Sequence, residues 1–171
     1  MLMKRKRVWL MSGVPGSGKS TWVRNRIAEL GGIHCSRDEI RFSLLSDGED
    51  YFAHEDEVLK LWFEKIKNAI KNPEVEDIYV DATHLTEEAR QKVINELPKG
   101  DYFIIITIFD VPLEICLKRN ENRTGRAYVP RSVIRRMYAS LEKTSKLGDA
   151  VVRIGKDGKP IYDLGVFRLA F

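Results

Sequence analysis

Short apolar runs alternate with longer stretches in which apolar residues recur every three or four positions, and that alternation predicts an α/β fold. Val8 to Met11 predicts a first strand, followed by a glycine-rich turn and a helix from Ser20 to Leu30 that Gly31 and Gly32 end. Ile33 to Ser36 predicts a second strand. Ser36 with Glu39 three residues on has the form of a capping box, so a helix is expected over Asp38 to Leu45. Between Glu55 and Ile70, Val58, Leu61, Trp62, Ile66, Ala69 and Ile70 share one helical stripe, which Asn72-Pro73 closes. Ile78 to Val80 predicts a third strand ending at Asp81. Thr86 is placed to cap a helix carrying Glu87 and Glu88 in its first turn, where carboxylates favour the helix dipole, and Pro98 marks its end. Tyr102 to Phe109 is apolar on both faces, the pattern of a central strand covered by helices on each side of a parallel sheet. Two basic helices, Leu113 to Asn122 and Arg131 to Lys146, precede a strand, turn and strand over Val151 to Ile154, GKDG and Ile161 to Leu164.

The chain has 171 residues, 43% hydrophobic and 32% charged, with no internal repeat or linker, so one domain over 1–171 is expected and a disordered or fibrous class is excluded. Its longest apolar run is less than half the roughly 20 residues of a membrane-spanning helix, and Val8 to Met11 is too short for a signal core. A cytoplasmic location is expected, or the host cytoplasm for a phage-encoded protein. Cys35 and Cys116 lack CxxC spacing, and His34, His54 and His84 share no metal-ligand spacing, which removes zinc and redox motifs. The net charge of +4 says little by itself. Its distribution says more, because Lys118, Arg119, Arg123, Arg126, Arg131, Arg135, Arg136, Lys143 and Lys146 face only Glu121 and Glu142 between Leu117 and Lys146. Such a segment suits phosphate or is a solvated helix face. Lys4 to Arg7 reads as a solvated lead-in or a nucleic-acid arm, and Trp9, Trp22 and Trp62 read as core rather than as base-stacking platforms.

Gly13-Val14-Pro15-Gly16-Ser17-Gly18-Lys19-Ser20 fits GxxxxGK[ST] between a strand and a helix, where the pattern has meaning. Gly13, Pro15, Gly16, Ser17, Gly18, Lys19, Ser20 and Thr21 are therefore the candidate nucleotide-binding residues: glycines let successive N–H groups turn toward one anion, and the helix adds its positive end. Lys19 is placed to neutralise the β- and γ-phosphates and Ser20 to ligate magnesium directly. Asp81, at the carboxyl end of a strand, either holds magnesium through water or caps the turn before Thr86.

A nucleotide loop alone serves switches, motors and kinases, and no NKxD guanine motif is present. Phosphoryl transfer to an alcohol needs a proton acceptor and positive charge around the transferring group. Asp38 and Arg41, three apart on one helix, offer the first pair, although Asp38 in a first turn equally suits the helix dipole. Arg119 and Arg123 share a helix face, with Arg126 beyond them, and read as a lid over the triphosphate within residues 113–146.

At this level the chain resembles the 5′-hydroxyl polynucleotide kinases, specifically the kinase domain of phage and bacterial end-repair enzymes. The resemblance covers most of the chain and rests on GVPGSGKSTW (13–22), SRDEIR (36–41), VDATHL (80–85), FDVPLEICLKRN (109–120) and VPRSVIRRMYASL (129–141). It implies a P-loop kinase using ATP and Mg2+ on 5′-OH ends of DNA or RNA, with Asp38 as general base and Lys19 and Arg123 at the transferring phosphate. It also implies that Arg41 binds an acceptor phosphate, that Arg37 and Thr83 lie on the acceptor side, and that Val129, Pro130 and Val133 face the terminal base. Read from spacing, the two valines are equally ordinary packing. His84 stands where related chains usually carry Asn, and the loop from Arg123 to Pro130 is one residue longer than theirs. Larger members add a phosphatase or ligase domain for which 171 residues leave no room, so any such activity is expected on a separate partner. Two other readings share the donor site: a kinase of a small metabolite or nucleoside, and a non-catalytic nucleotide-binding module.

Overall fold

The computed structural model describes residues 5–161. Strands β1 (Lys6–Ser12), β2 (Ile33–Ser36), β3 (Asp77–Asp81), β4 (Tyr102–Phe109) and β5 (Ala150–Ile154) form one sheet in the order β2-β3-β1-β4-β5, with every pairing parallel. Helices α1 (Lys19–Leu30), α2 (Arg37–Leu44), α3 (Glu55–Lys71), α4 (Glu87–Glu96), α5 (Leu113–Glu121) and α6 (Arg131–Ser140) flank it, with one 3₁₀ turn at Gly125–Ala127.

Successive side chains of β1 point to opposite faces and seed two separate cores. Val8 and Leu10 pack with Ile78, Val80, Ile106 and the α3 stripe of Trp62, Ile66 and Ala69, while Met11 packs with Val23 of α1, Tyr79 and Phe109. Each fully buried aliphatic in these layers contributes about 1.5–3 kcal/mol relative to leaving it exposed. A third cluster, Val14, Val111, Cys116, Leu117 and Ile134, packs α5 and α6 against the turn after β1. Trp62 donates its indole N–H to the Cys35 carbonyl at 2.8 Å, and Trp9, Trp22 and Tyr79 pack ring against ring.

The caps follow the sequence: Ser36 accepts from the Glu39 N–H and Thr86 from the Ala89 N–H, each at 3.2 Å. Two expectations need revising. The central strand is β1, and β4 lies one in from the edge with Tyr102 to Ile105 only half-buried, since β5 pairs with it only from Ile105 onward. Helix α6 ends at Ser140 rather than Lys146. Past it, Leu141 turns inward, the Glu142 N–H donates to the Leu85 carbonyl at 2.8 Å and Lys143 pairs with Asp110 at 2.7 Å, so tertiary partners replace the next helical turn. Of the final strand only Ile161 is described; it belongs to no strand, its N–H donates to the Arg153 carbonyl at 2.8 Å, and the remainder lies outside the described residues, as does Lys4. Among the described residues no helix is long and apolar enough to cross a membrane.

Candidate active site

Strand register brings the candidate residues to one edge of the sheet. Ser36 is level with Asp81, and Ser12 with Ile108, so the turn after β1, the start of α2, Asp81 and the end of β4 share the carboxyl edge where ligands bind in open α/β sheets.

The 13–20 turn is built as an anion cradle. Gly16 and Gly18 take φ of 82° and 94°, and a Cβ on Gly16 would sit 2.3 Å from the Cys116 carbonyl oxygen, so only glycine lets the turn rest on α5. The Gly13 N–H donates to the Thr83 carbonyl at 2.9 Å, which ties the turn to the β3–α4 loop. Ser17 Oγ is buried with no partner, a polar atom that a phosphate oxygen would satisfy. Lys19 Nζ donates to the carbonyls of Gly13 at 2.7 Å and Val14 at 3.1 Å. Burial pushes the Lys19 pKa down, while the charges of Asp81 and Asp38 oppose the shift. Bound phosphate would supply the negative charge this ammonium lacks.

Ser20 Oγ donates to Asp81 Oδ2 at 2.8 Å. His34 Nε2 lies 2.8 Å from the same oxygen, and its other nitrogen faces Glu39 at 3.6 Å. Although burial raises the Asp81 pKa, the hydrogen bond from His34 and the Lys19 charge prevail and hold the carboxyl below its usual range. A hydroxyl and a carboxylate side by side are hard oxygen donors suited to Mg2+, which takes one or two protein ligands and completes its shell from phosphate and water. Among the described residues no cluster of three His, Cys, Asp or Glu could replace such a shared site.

Asp38 projects from the first turn of α2 with 61% of its side chain exposed. One of its oxygens, Oδ1, accepts from Arg41 Nη1 and from the Tyr51 hydroxyl, both at 2.7 Å. Arg41 is 4% exposed; it also donates to the Tyr51 hydroxyl at 2.9 Å and to Glu55 at 2.6 Å, and Glu55 pairs in turn with Arg37. Burial and the Asp38 charge push the Tyr51 pKa up to about 12, which keeps the hydroxyl a donor. Tyr51, Glu55 and His34 had not emerged from the sequence as site residues. Glu55 heads an acidic first turn that reads as dipole compensation, and Tyr51 sits in a polar loop with no local signal.

On the lid, Arg119 donates to the carbonyls of Lys156 at 2.7 Å, Ser17 at 3.4 Å and Gly16 at 3.5 Å, so it stands over the cradle. Arg123 is exposed and donates to the Ala127 carbonyl at 3.5 Å. Arg126 donates to the carbonyls of Leu45, at 3.1 Å, and Ser46, linking the lid to the end of α2. Arg131 and Arg135 pair with Glu121 and Glu114, which leaves the lid less basic than its composition suggests. Val129 and Val133 are half-buried and Pro130 is exposed; Val129 is clamped on both backbone groups by the Asn120 side chain. Thr83 and Arg37 line a separate cleft beside the cradle.

A family model described as an AAA domain matches residues 8–144. A cytidylate kinase of Ignicoccus hospitalis is 32% identical over 126 residues, covering 71% of this chain and 67% of that protein. A protein named as a candidate bifunctional polynucleotide kinase/RNA ligase of Autographa californica nuclear polyhedrosis virus is 23% identical over 158 residues, covering 84% of this chain and 22% of that protein. Among solved structures, a chain of the Pnkp1/Rnl/Hen1 RNA repair complex superposes with a TM-score of 0.68 at 26% identity over 80% of this chain and 44% of its own. A sugar kinase from Janibacter superposes with a TM-score of 0.60 at 22% identity, covering 91% of this chain and 87% of its own, a likeness of fold alone. The chain thus spans less than half the length of the viral relative and of the repair-complex chain.

Proposed function

Because the chain belongs to the AAA-domain family and has the α/β fold of the P-loop kinases, we propose that it transfers the γ-phosphate of ATP to the 5′-hydroxyl end of a DNA or RNA strand. The observation that carries this reading is the Asp38 carboxylate, exposed at the sheet edge with one oxygen held by Arg41 and Tyr51 and its charge felt at Lys19. Holding Oδ1 leaves Oδ2 to take the proton of an attacking hydroxyl. The hydroxyl oxygen bonds to the γ-phosphorus, the bridging bond to the β-phosphate breaks, and ADP leaves with those electrons. The 13–20 turn and Lys19 hold the donor, while Arg119 and Arg123, with Arg126 behind them, offset charge on the transferring group. Ser20 and Asp81 would hold Mg2+, which supplies positive charge against the phosphates. The similarity to a chain of an RNA repair complex favours a nucleic-acid end as acceptor, and a ligation reaction would consume the 5′-phosphate produced.

One finding favours a second acceptor: the cytidylate kinase relative is the more identical of the two, so a nucleoside monophosphate is the alternative. Transfer of labelled γ-phosphate separates the two. Oligonucleotides ending in 5′-OH or 5′-phosphate, as DNA and RNA, are run beside CMP and cytidine, with Asp38→Ala as control. The expected result is label only on 5′-OH ends, lost by at least 100-fold in the variant while ATP binding stays within threefold. Label on CMP and none on oligonucleotides overturns the polynucleotide reading; equal loss of ATP binding in the variant overturns Asp38 as base.

A further inference from the structure

Three elements meet at a single carboxylate oxygen. Strand register sets His34 of β2 level with Tyr79 of β3, and Asp81 lies two residues further along β3, so Asp81 shares a face with Tyr79. Tyr79 packs with Val23 of α1, and Ser20 stands in the first turn of α1, so this is the face that α1 covers. There His34 Nε2 lies 2.8 Å from Asp81 Oδ2, and Ser20 Oγ donates to the same oxygen at 2.8 Å. The His34 side chain is 11% exposed and that of Asp81 5%, which leaves water little access to the pair.

An ionised carboxylate only accepts, so the proton of this contact sits on Nε2 and His34 is the donor. Its other ring nitrogen lies 3.6 Å from Glu39 Oε1, too far for a hydrogen bond. Two donors on Oδ2 take up both lone pairs of that oxygen and hold the carboxylate against rotation. Ser20 gives its hydroxyl proton to Asp81, and the lone pairs of its own oxygen are then free for a hard cation. That division of the hydroxyl lasts only while Oδ2 stays in reach, and a carboxylate with one donor fewer can turn away from Ser20. A protonated Nε2 is no metal ligand, so His34 acts on a cation only through Asp81.

We propose that His34 is a positioning residue of the cation site, its Nε2–H pinning Asp81 Oδ2 so that the Ser20 oxygen stays available to the cation of a bound nucleotide. The proposal rests on the reading above in which Ser20 and Asp81 hold Mg2+, and adds to it the residue that fixes their geometry. Loss of such a partner, one hydrogen bond removed from the metal, typically costs about 10- to 100-fold in metal affinity. Nucleotide binding without a cation runs through the 13–20 turn and Lys19, and serves as the control.

The test uses Mn2+ as a spectroscopic stand-in for Mg2+. The full chain is loaded with a stoichiometric amount of ADP, Mn2+ is titrated in, and free Mn2+ is read by electron paramagnetic resonance for the unaltered chain, His34→Leu and His34→Gln. Leucine keeps much of the bulk of the ring and offers no donor, whereas the glutamine amide places an N–H close to where Nε2 stood. The Mn2+ dissociation constant should rise about tenfold in His34→Leu and stay within threefold in His34→Gln, while calorimetry in EDTA gives ADP affinities within twofold for all three. Equal Mn2+ affinity in the unaltered and His34→Leu chains, or equal losses in both variants, overturns the role of His34 and leaves the cation site standing. An ADP affinity in EDTA that falls as far as the Mn2+ affinity also overturns it, because the loss then belongs to the whole nucleotide site. Mn2+ held no more tightly by the protein–ADP complex than by ADP alone overturns the cation site itself and the role of His34 with it. One readout needs no variant: with nitrogen-labelled histidine in the unaltered chain, adding Mg2+ to the ADP complex should shift the His34 Nε2 resonance. An unmoved resonance overturns the proposal even where His34→Leu fails to fold.

Discussion

Arg90→Met deletes a guanidinium that is fully buried on α4 and stitches two distant loops to the end of β1. Its Nη1 donates to the Thr144 carbonyl at 2.8 Å, its Nη2 to Ser12 Oγ at 2.9 Å and to the Glu142 and Leu85 carbonyls, and its Nε to the His84 carbonyl at 3.1 Å. Methionine fills most of the volume and none of these bonds. Two of the carbonyls keep another donor, His84 from Ser12 Oγ and Leu85 from the Glu142 N–H. Those of Glu142 and Thr144 have no other donor among the described residues, so the substitution orphans two acceptors at about 1–3 kcal/mol each. The expected loss is therefore about 4 kcal/mol. With an unfolding slope near 2 kcal/mol per molar urea, the midpoint should fall by about 2 M with the slope unchanged. Arg90→Lys, which keeps the charge and three rotatable donors, should recover part of the loss. A midpoint shift below about 0.5 M for Arg90→Met would show that water satisfies both carbonyls and that the clamp contributes little. Because Thr83 and His84 ride on the clamped loop, the KM for the acceptor should rise with the instability, even under conditions where the variant stays folded.

Other consequences follow from single positions. Gly16→Ala puts a methyl group 2.3 Å from the Cys116 carbonyl oxygen at a φ of 82°; it should destabilise the chain by about 2–4 kcal/mol by urea titration and weaken ATP binding at least tenfold by calorimetry. Tyr51→Phe removes one of the two donors on Asp38 Oδ1, and kcat should fall about tenfold with the KM for ATP within twofold in steady-state kinetics. His84 sets an acid limit on stability. Its pKa is about 4 when folded against 6.5 for the free side chain, so between these values the unfolded chain binds a proton that the fold excludes. Stability should thus fall as pH drops from 6.5 toward 4, by about 3 kcal/mol in total from this group, and His84→Asn should remove that part of the slope in urea titrations run across the range.

What could be read from the sequence was what is local to it. The 13–20 turn, Asp38 on its capped helix and Asp81 at the end of an apolar strand each sit within a few residues of the pattern that gives them meaning, and parallel pairing then brought all three to one edge. The residues that hold them were hidden because their partners are remote in the chain: His34 meets Asp81 47 residues away, and Arg90 reaches Ser12 across 78. One of these did leave a trace. Along α4 and its C-cap, Ala89, Arg90, Val93, Ile94 and Leu97 mark an inward stripe, and a cation within such a stripe must either leave the helix face or find several acceptors inside. The acceptors it finds are the carbonyls of segments outside regular structure, and they join Leu85 and Asp110 as the tertiary partners that hold the chain after Ser140, where its sequence predicts helix as far as Lys146. The same guanidinium also bonds the His84 carbonyl, so one side chain ties the loop after Ser140 to the loop after Asp81. Arg90→Met leaves the Glu142–Leu85 and Lys143–Asp110 contacts in place, so the helix should still stop at Ser140 and amide exchange at residues 141–146 should speed up; new protection there would show instead that the guanidinium alone terminates the helix.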